Sequence, residues 1–578
     1  MNRDWSISPL WPGRDEAAIT LGVSPIVAQV LYNRGIRDLD EARLFLSPKL
    51  NGLIEPEEYD DLTVAAETIA RAIREKRRIA VYSDYDVDGI CGAAIMWHLI
   101  TRTGGNVEVY IPHRLEEGYG VNIDAVNSLA DRGFELLITV DCGIRDHKAV
   151  DQAMKRGMEV IVTDHHEPGP DLPRASAIVH PLRRSASGTS CNSVNPCGAA
   201  VAFKLSWAVA KVLSGSTRVG DELREHLVEL TALVALATIA DVVPLLGENR
   251  ILAKFGLEQL SRSKLVGLQA LLRSAKLVGS RVESYHVGFV LGPRLNAAGR
   301  MGHAREALEL LTGADCQRAD ELADHLNRQN RRRRQLEETI SREAAELAES
   351  QGQLADDISI LVLAQKEWHV GIIGIVASKL VDRFNRPVVM IGLDGERGQG
   401  SARSVEGYDI NQALDACRAY LLGYGGHAMA AGLQIESKKI AGFIQAMQQH
   451  AGKHFCGELH RPVLKIDAQI EPDMLTGDLL NQLHKLAPFG QGNPRPIFAS
   501  GVTELIGEPK IVGTSGKHLS FSVRWGVRNF RAIAFNQADA YDRLRDSRRN
   551  YLAFEPVVDD FSGPGVIQLR VKSIKPVA

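Results

Sequence analysis

Acidic and histidine residues follow three short apolar segments of the chain, RRIAVYS, ELLITV and EVIVT. The residues are Asp84, Asp86, Asp88, Asp141, Asp164, His165 and His166. Alternate residues of an extended segment point the same way, so the first three carboxylates are expected to meet at one spot. Oxygen ligands with one or two imidazoles suit Mg²⁺ or Mn²⁺, and the nitrogen ligands favour Mn²⁺.

A further carboxylate, Asp241, interrupts the apolar segment LATIADVVPL. A buried, unpaired carboxylate is costly, so Asp241 is expected to cap a helix, to pair or to bind metal. Two divalent ions about 3.5 to 4 Å apart can activate a water molecule and hold the phosphoryl oxygens of an in-line displacement. The set of residues therefore predicts metal-assisted hydrolysis of a phosphoester.

Three alternative roles for the acidic cluster fit the sequence less well. The spacing Asp84-x-Asp86-x-Asp88 also begins an EF-hand loop, but the twelfth position, which should be Glu, is Ile95. Any one of these acids could simply cap a helix, although this does not account for the whole set. A dinucleotide fold needs G-x-G-x-x-G after its first strand, and an acidic turn stands there instead.

Alternating strands and helices are needed to bring these residues together. Between residues 77 and 180 short apolar runs alternate with helical patterns, which predicts a mostly parallel sheet with helices on both faces. Ligands of such sheets bind beyond the carboxyl ends of the strands, where the acids lie. After residue 198 the pattern becomes helical. A long polar helix and a second α/β unit follow, and short strands from about residue 460 predict a small β-barrel.

The expected divisions are an accessory region at 1–60, a catalytic domain at 61–313, a connector helix at 314–352, a second α/β domain at 353–457 and the barrel at 458–578.

Composition restricts the class of protein. The 578 residues carry a formal net charge of -3, so binding to a polyanion must depend on local patches. Seven cysteines without a CxxC pair are expected to be reduced thiols. The N-terminus has no signal sequence and no run of 18 apolar residues follows, so we expect a soluble, cytoplasmic protein that does not contact a membrane.

The segments SDYDVDG, VDCGI, TDHHEPG and ADVVPL, in this order, resemble the four motifs of the DHH phosphoesterase superfamily. The metal-ligand roles that this resemblance implies fall on Asp84, Asp86, Asp88, Asp141, His165 and Asp241. Asp141 would bridge two ions, and His166 would face the scissile phosphate as a proton donor or hydrogen-bonding partner. Tyr82 stands where many smaller members of the superfamily have a histidine, so Asp84 is expected to supply the missing ligand atom.

Later segments resemble the RecJ family of 5′ to 3′ exonucleases specific for single-stranded DNA. They are IPHRLEEGYG, LGPRLNAAGRMG, WHVGIIGIVASKL, GQGSARS, GYGGHAMAAG and PFGQGNPRPIF. The resemblance implies a DHH catalytic domain with a parallel sheet, a connector helix, a DHH-associated α/β domain and a C-terminal OB-like barrel. It also implies release of 5′-mononucleotides during DNA repair and recombination.

Several residues are candidates for binding the nucleic acid. The resemblance implies that Ser401, Arg403 and Arg114 hold the terminal 5′ phosphate, and that Arg294, Asn296 and Arg300 lie beside the metals. The Gly- and Ser-rich loop around Arg403 could form an anion-binding nest. His427 is a further candidate phosphate contact, although a packed loop histidine is an equally good interpretation from the sequence alone.

The C-terminal barrel contains a basic and aromatic stretch. Residues 509–538 lack Asp and Glu but interleave lysines and arginines with aromatic residues, which is typical of a nucleic-acid-binding surface. We expect Trp525, assigned to a turn, to be the stacking residue. The run Arg331 to Arg334 wraps a whole turn of the connector helix, which favours a solvated helix over a binding face.

Two other functions remain open at this point. One is an oligonucleotide or cyclic-dinucleotide phosphodiesterase of the same superfamily, although those chains are shorter and lack the barrel. The other is a non-catalytic single-strand-binding replication factor, which would be expected to lack some of the acids. The family resemblance further implies a monomer that works with a single-strand-binding protein and a RecQ-type helicase.

Overall fold

The computed structural model of the protein describes residues 4–113, 117–118, 120–181, 194–300, 304–355, 357–455, 462–514, 516–559 and 565–577. Within these ranges no helix is both long enough and apolar enough to cross a membrane.

Residues 4–46 pack against the C-terminal part of the chain, whereas Leu53, Ile54 and Tyr59 pack into the catalytic core. Residues 4–46 form β1 (Asp4–Ile7), α1 (Arg14–Leu21), α2 (Pro25–Asn33) and α3 (Leu39–Leu46). Strand β1 pairs in parallel with residues 463–466. The guanidinium of Arg34 contacts the carboxylate of Asp467 at 2.8 Å, and both side chains are less than a tenth exposed. Residues 4–46 of the region that the sequence suggested was accessory are therefore built into the C-terminal domain.

A five-stranded parallel sheet forms the centre of the catalytic region. Its elements are α4 (Leu62–Arg74), β2 (Arg78–Ser83), α5 (Val87–Arg102), β3 (Asn106–Tyr110), α6 (Ile123–Asp131), β4 (Leu136–Val140), α7 (His147–Lys155), β5 (Glu159–Thr163) and β6 (Ala177–Val179). The strand order is β3-β2-β4-β5-β6, and every neighbouring pair is parallel. The doubly covered sheet predicted from the alternation of patterns is confirmed.

A helical layer follows the sheet, as the periodicity predicts. Its helices are α8 (Gly198–Ser214), α9 (Asp221–Ala240), α10 (Gly247–Arg262), α11 (Val266–Ser274), α12 (Ser284–His286), α13 (Gly292–Arg300) and α14 (Ala304–Leu311). A π-helical turn over Val287–Leu291 joins α12 to α13.

One long helix, α15 (Cys316–Ser350), joins the catalytic region to the second α/β region. Its first half contributes Leu322 and Leu326 to the catalytic core, and its second half contributes Ile340 and Ala344 to the next core. At 1.5 Å per residue its 35 residues span about 50 Å. The connector predicted from the narrow apolar stripe is confirmed.

The second α/β region has a mixed five-stranded sheet. Its elements are β7 (Leu361–Lys366), α16 (Val370–Phe384), β8 (Val388–Asp394), β9 (Arg397–Arg403), α17 (Ile410–Ala416), β10 (Leu421–His427), β11 (Ala430–Glu436) and α18 (Ile440–Phe455). The strand order is β10-β11-β9-β8-β7, and only β7 and β8 are parallel.

The C-terminal region is the predicted barrel. Its elements are β12 (Val463–Ile466), β13 (Ala468–Gln469), α19 (Gly477–His484), β14 (Phe498–Ala499), β15 (Thr503–Val512), β16 (His518–Trp525), β17 (Arg528–Ala534), α20 (Tyr541–Asp546), β18 (Arg549–Val558) and β19 (Ile567–Pro576). The sheet closes because β19 pairs with both β17 and β18.

A single buried arginine ties three regions together. Arg250 of α10 is 2% exposed, and its guanidinium donates to the carbonyl oxygens of Phe45 (2.9 Å), Lys485 (3.0 Å), Leu486 (2.8 Å) and Ala487 (3.0 Å). The guanidinium carbon also lies 3.7 Å from the centroid of the Phe45 ring. Burial lowers the pKa of Arg250 to about 9, so these carbonyl groups must compensate the lost hydration.

Replacing Arg250 by Met should therefore lower the thermal unfolding midpoint, because several buried carbonyl groups lose their donor. Hydrogen bonds to a charged group contribute about 1.5 to 3 kcal/mol each, so the loss should reach about 3 kcal/mol or more. Calorimetry of the whole chain measures it, with Arg262→Met on the exposed side of the same helix as the control. Equal midpoints for the two variants would contradict this role of Arg250.

Candidate active site

The register of the parallel sheet places three aspartates in a row. The last residues of β2, β4 and β5 pair with one another across the sheet. The next residue of each strand is an aspartate, so Asp84, Asp141 and Asp164 stand side by side at the carboxyl edge. The backbone N–H of Asp141 still donates to the Thr163 carbonyl at 3.1 Å, which extends the ladder one residue past the strand.

Three overlapping groups of side chains at this edge could hold metal ions. In each group the ligand atoms lie within 4.8 Å of one another. The groups are Asp84, Asp86 and Asp141; Asp88, His165 and Asp241; and Asp141, His165 and His166. The first two groups together contain all six residues predicted as ligands, and the third links them through Asp141 and His165.

Helix N-termini hold two of the carboxylates. Asp86 caps α5, and its Oδ1 accepts from the backbone N–H groups of Asp88 (2.9 Å) and Gly89 (3.1 Å). Asp88 accepts from the backbone N–H groups of Gly198 (2.5 Å) and Ala199 (2.8 Å), the first two residues of α8. The positive end of a helix dipole stabilises a carboxylate in this position. Burial and the charge of Asp88 nevertheless raise the pKa of Asp86.

Asp141 has an unusual backbone and a crowded neighbour. Its φ of 62° lies in the left-handed region, where residues other than glycine are uncommon and strained. A Cβ at Gly198 would lie only 2.7 Å from the Asp141 Cβ, so position 198 requires glycine. Burial, followed by the charges of Asp88 and Asp86, raises the pKa of Asp141 well above its ordinary value.

Asp164 orients the two histidines rather than joining the ligand groups. Its carboxylate accepts from the backbone N–H groups of Ile144 (3.0 Å), His165 (2.7 Å) and His166 (3.1 Å). The Nδ1 of His166 also lies 2.8 Å from Asp164 Oδ1. Burial opposes ionisation of Asp164, but the hydrogen bonds and charge of His166 outweigh it and lower its pKa. An ionised Asp164 is an acceptor only, so Nδ1 of His166 is the donor.

The pKa values of the two histidines are shifted in opposite directions. Burial lowers the pKa of His165, and its Nε2 lies 3.1 Å from Asp141 Oδ1, 3.6 Å from Asp88 Oδ2 and 3.7 Å from Asp241 Oδ2. Burial also opposes protonation of His166, but the hydrogen bond to Asp164 and the nearby carboxylates outweigh it and raise its pKa. His165 is thus suited to ligate a metal as a neutral imidazole, and His166 is suited to carry a proton.

Asp241 ends α9 and completes the cluster. Burial and the charges of Asp88, Asp86 and Asp84 raise its pKa to about 9. The next residue, Val242, has a φ of 61°, which is strained for a β-branched side chain, and it is 62% exposed. The chain thus turns sharply directly after the carboxylate.

The donor set of this edge fits divalent metal ions. Five carboxylates and a neutral imidazole face one another, and burial together with their mutual repulsion raises the pKa values of Asp86, Asp141 and Asp241. Cations placed among them would remove this repulsion. Mn²⁺ binds both carboxylate oxygens and imidazole nitrogens. Mg²⁺ prefers oxygen ligands, which the carboxylates of this set supply.

Tyr82 supplies no ligand to this cluster. Its side chain lies in the core on the other face of the sheet. Its hydroxyl donates to the Gly120 carbonyl at 3.0 Å and accepts from the amide of Asn122 at 3.2 Å. Burial raises the pKa of Tyr82, so the hydroxyl stays protonated.

Helix α13 packs directly on the acidic loop. A Cβ at Gly299 would lie 2.4 Å from the Tyr85 carbonyl oxygen, and the amide oxygen of Asn296 accepts from the Val87 N–H at 3.2 Å. Arg294 instead turns back to donate to the carbonyl oxygen of Val290. Asn296 thus positions the loop that carries Asp84 and Asp86.

A polar cavity of about 340 Å³ opens in the second α/β region. Ser401, Arg403 and Arg300 line it, together with the first turn of α16 and several glycines of β9, β10 and β11. Nη1 of Arg403 donates to Ser401 Oγ at 2.9 Å. A Cβ at Gly374 would lie 2.8 Å from Ser401 Oγ, so glycine keeps this wall open. A helix N-terminus, an arginine and a hydroxyl form a suitable site for a phosphate.

Two further predicted residues can be placed relative to this cavity. Arg300 Nη1 donates to the Gly371 carbonyl oxygen at 3.0 Å and so joins α13 to α16. His427 is exposed at the end of β10, next to the cavity-lining Gly426. Arg114 lies outside the described residues.

The prediction that Trp525 is a stacking residue is wrong. Strand β16 includes Trp525, and strand alternation places it on the same inward face as Leu519, Phe521 and Val523. Its side chain is 2% exposed and packs against Phe530 in the barrel core.

The exposed aromatic residue of the basic and aromatic stretch is Phe535, which is 44% exposed and which was not chosen from the sequence as the stacking residue. It contacts His518, with ring centroids 5.1 Å apart, and lies 5.7 Å from the guanidinium of Arg570. Phe535 comes directly after β17 and before Asn536, which has a φ of 55°. The turn-forming asparagine after the phenylalanine was the signal that the sequence offered.

Comparison with known proteins agrees with this architecture. The chain matches the DHH family N-terminal domain over residues 78–238, the DHHA1 domain over 357–453 and the RecJ OB domain over 466–573. It is 36% identical over 557 residues to the single-stranded-DNA-specific exonuclease RecJ of Bacillus subtilis, covering 96% of this chain and 68% of that protein. It is 33% identical to the protein of the same description from Escherichia coli, covering 97% and 98%.

Solved structures give the same result. The crystal structure of RecJ in complex with Mn²⁺ from Thermus thermophilus superposes with a TM-score of 0.83 at 31% sequence identity, covering 100% of this chain and 80% of that one. A structure of the same protein in complex with Mg²⁺ superposes with a TM-score of 0.78. The chain therefore belongs to the RecJ family of single-stranded-DNA-specific exonucleases.

Proposed function

We propose that this protein removes 5′-mononucleotides one at a time from the 5′ end of single-stranded DNA, with two Mn²⁺ or Mg²⁺ ions at the carboxylate cluster. The observation that carries the proposal is that α13 joins two sites. Its Asn296 contacts the acidic loop, and its Arg300 lines the phosphate-sized cavity and bonds to Gly371. A rigid helix thus fixes the distance between a hydrolytic centre and an anion site.

The cavity sets the direction of degradation in this proposal. Arg403, Ser401 and the first turn of α16 hold the terminal 5′ phosphate, so the next phosphate along the strand reaches the carboxylate cluster. Asp84 and Asp86 would hold one ion, Asp88, His165 and Asp241 would hold the other, and Asp141, which belongs to two of the ligand groups, would contribute to both. When bound, the two ions supply Lewis acidity at the phosphoryl group and lower the pKa of the attacking water.

His166 handles the proton of the leaving group. A water molecule loses a proton to the solvent and forms a new bond to phosphorus, the bond from phosphorus to the 3′ oxygen of the terminal nucleotide breaks, and protonated His166 donates its proton to that oxygen. Asp164 holds the imidazole through Nδ1 and keeps it protonated. The shortened strand is left with a new 5′ phosphate, which is again a ligand for the cavity, so each cycle prepares the next.

Wider roles follow from the family resemblance alone. Participation in DNA repair and recombination, a monomeric state, and work with a single-strand-binding protein and a RecQ-type helicase stay predictions.

Asp141→Ala should lower the rate of hydrolysis to less than about one-thousandth, because Asp141 belongs to two of the three ligand groups. Single-turnover cleavage of a labelled strand across a Mn²⁺ titration measures the loss. Asp171→Asn, an exposed acid shortly after the histidine pair, is the matched control. Recovery of the variant at saturating Mn²⁺ would exclude a bridging role for Asp141.

The Asp241→Asn variant should have a higher thermal unfolding midpoint than the native chain in EDTA. In Mn²⁺ it should have a lower midpoint than the native chain. The native pKa of about 9 means that the fold disfavours the charged carboxylate, a cost that is present above the unfolded pKa and grows as the pH rises toward 9. Without metal, the neutral amide of the variant removes this cost. With metal, the fold is stabilised by the bound ions, and the amide binds them less well than the carboxylate does. If the order of the two midpoints is the same in both buffers, the cluster does not bind metal through Asp241.

Arg403→Ala should selectively slow the degradation of 5′-phosphorylated strands. A charge-assisted contact to phosphate contributes about 1.5 to 3 kcal/mol, or roughly ten- to a hundred-fold in kcat/KM. The assay compares 5′-phosphate with 5′-hydroxyl strands, and Arg397→Ala, at the exposed start of the same strand, is the control. Equal losses on both kinds of end would place the terminal phosphate elsewhere.

A further inference from the structure

A loop of the barrel region, residues 489–493, lies against the turn that follows Asp241. It belongs to the segment PFGQGNPRPIF, to which the proposed function gives no role. The backbone N–H of Leu245 donates to the carbonyl oxygen of Gln491 at 2.8 Å. This hydrogen bond joins the turn that begins at a predicted metal ligand to the barrel region.

Two glycines of this loop allow the close approach. A Cβ at Gly490 would lie 2.8 Å from Cδ1 of Leu245. Gly492 has a φ of 73°, in the left-handed region, and a Cβ there would lie 3.2 Å from the Cβ of Pro244. A side chain at either position would therefore push the turn away from the loop.

Hydrogen bonds within the barrel region hold the loop in one conformation. The backbone groups of Gly490 and Asn493 exchange two hydrogen bonds, of 2.9 and 3.2 Å. The side chain of Asn493, which is 1% exposed, donates to the carbonyl oxygens of Leu486 (2.7 Å) and Pro488 (2.9 Å). The loop is thus a preformed surface for the turn to pack on.

The turn itself is strained and is held from both sides. Val242 has a φ of 61°, and such strain persists only where the surroundings impose it. The next residue, Val243, is buried in the catalytic core, and Leu246 packs against the barrel core. The direction in which the chain leaves Asp241 is therefore set by both regions together.

Asn249 connects this turn to a second ligand of the cluster. Its side chain is 1% exposed, and the amide donates to the carbonyl oxygens of Pro244 (3.1 Å) and Asn195 (3.0 Å). The side-chain amide of Asn195 donates in turn to the carbonyl oxygen of His165 at 2.9 Å. Asp241 and His165 belong to the same ligand group, so one network of hydrogen bonds relates the two ligands to each other.

We infer that the barrel loop 489–493 and Asn249 position Asp241 for metal binding, so that the barrel region sets the affinity of the ion held by Asp88, His165 and Asp241. The inference rests on the proposed function, since it takes this group to hold one of the two ions. Residues that support the direct ligands of a metal ion typically change its affinity by about ten- to a hundred-fold. The barrel region thus contributes to the metal centre without supplying a ligand.

The test compares Gly492→Ala with Gly507→Ala in the full-length chain. Gly507 lies in β15 of the barrel with a φ of 69°, and a Cβ there would meet no atom within 4 Å. Alanine therefore strains the backbone at both positions, but only at position 492 does the new methyl group meet the turn. Binding of Mn²⁺ alone, measured by isothermal titration calorimetry without DNA, is the readout.

Gly492→Ala should weaken the binding of one of two Mn²⁺ ions by about tenfold and leave the other unchanged. Gly507→Ala should bind both ions as the native chain does. Added to Asp241→Asn, Gly492→Ala should cause no further loss, because the ligand that it displaces is already gone. Asn249→Ala, which removes the amide on the other side of the turn, should weaken the same ion and replaces Gly492→Ala if that variant does not fold.

The inference is overturned if Gly492→Ala and Asn249→Ala bind both ions as tightly as Gly507→Ala does, or if the losses of Gly492→Ala and Asp241→Asn add. Hydrolysis of a labelled strand is measured separately. A native chain that binds two Mn²⁺ ions but hydrolyses no strand would overturn the proposed function alone. A native chain that hydrolyses the strand, with the same Mn²⁺ affinities in all the glycine and asparagine variants, would overturn this inference alone.

Discussion

Repulsion among buried carboxylates at one edge of a parallel sheet is the constraint on which the rest of the structure depends. Strands β2, β4 and β5 end at the same level of the sheet, and an aspartate follows each of them, so the carboxylates come close together and repel one another. The N-terminus of α8 offsets part of it at Asp88, and Gly198 lets that helix approach Asp141 closely enough to do so. The left-handed backbone of Asp141 and the turn at Val242 are strained, and the fold tolerates this strain because it places the carboxylates of Asp141 and Asp241 in the cluster.

Much of this was predictable because its signals are local. Acids directly after apolar runs, helical periodicity and a long polar helix each depend on residues near in sequence, and they predicted the sheet, the cluster and the connector. One error had a different origin. Trp525 was misassigned because a strand end placed one residue too early turns an inward position into an exposed one. The packing of residues 27–46 could not be predicted because their apolar partners in the barrel lie more than 400 residues away.

Polar contacts between residues far apart in the sequence fix how the regions pack together, and the hydrophobic pattern of the sequence does not predict these contacts. The guanidinium of Arg250 is held by carbonyl acceptors that come from segments on either side of it in the chain. The sequence around Arg250 does not predict these acceptors, because an arginine on an amphipathic helix is usually exposed. The same holds for Arg300, whose bond to the Gly371 carbonyl fixes α16 against α13 and so relates one site to the other.

The parallel pairing of β1 with β12 has a consequence for synthesis of the chain. Val27, Val30 and Phe45 leave the ribosome well before residues 468 to 571, which complete the core that buries them. At 5 to 20 residues per second, about 420 residues of translation separate the two, or roughly 20 to 80 seconds. During that interval an apolar segment waits unburied while the catalytic sheet folds behind it. The barrel core is therefore completed late in synthesis, long after the segment that it buries has been translated.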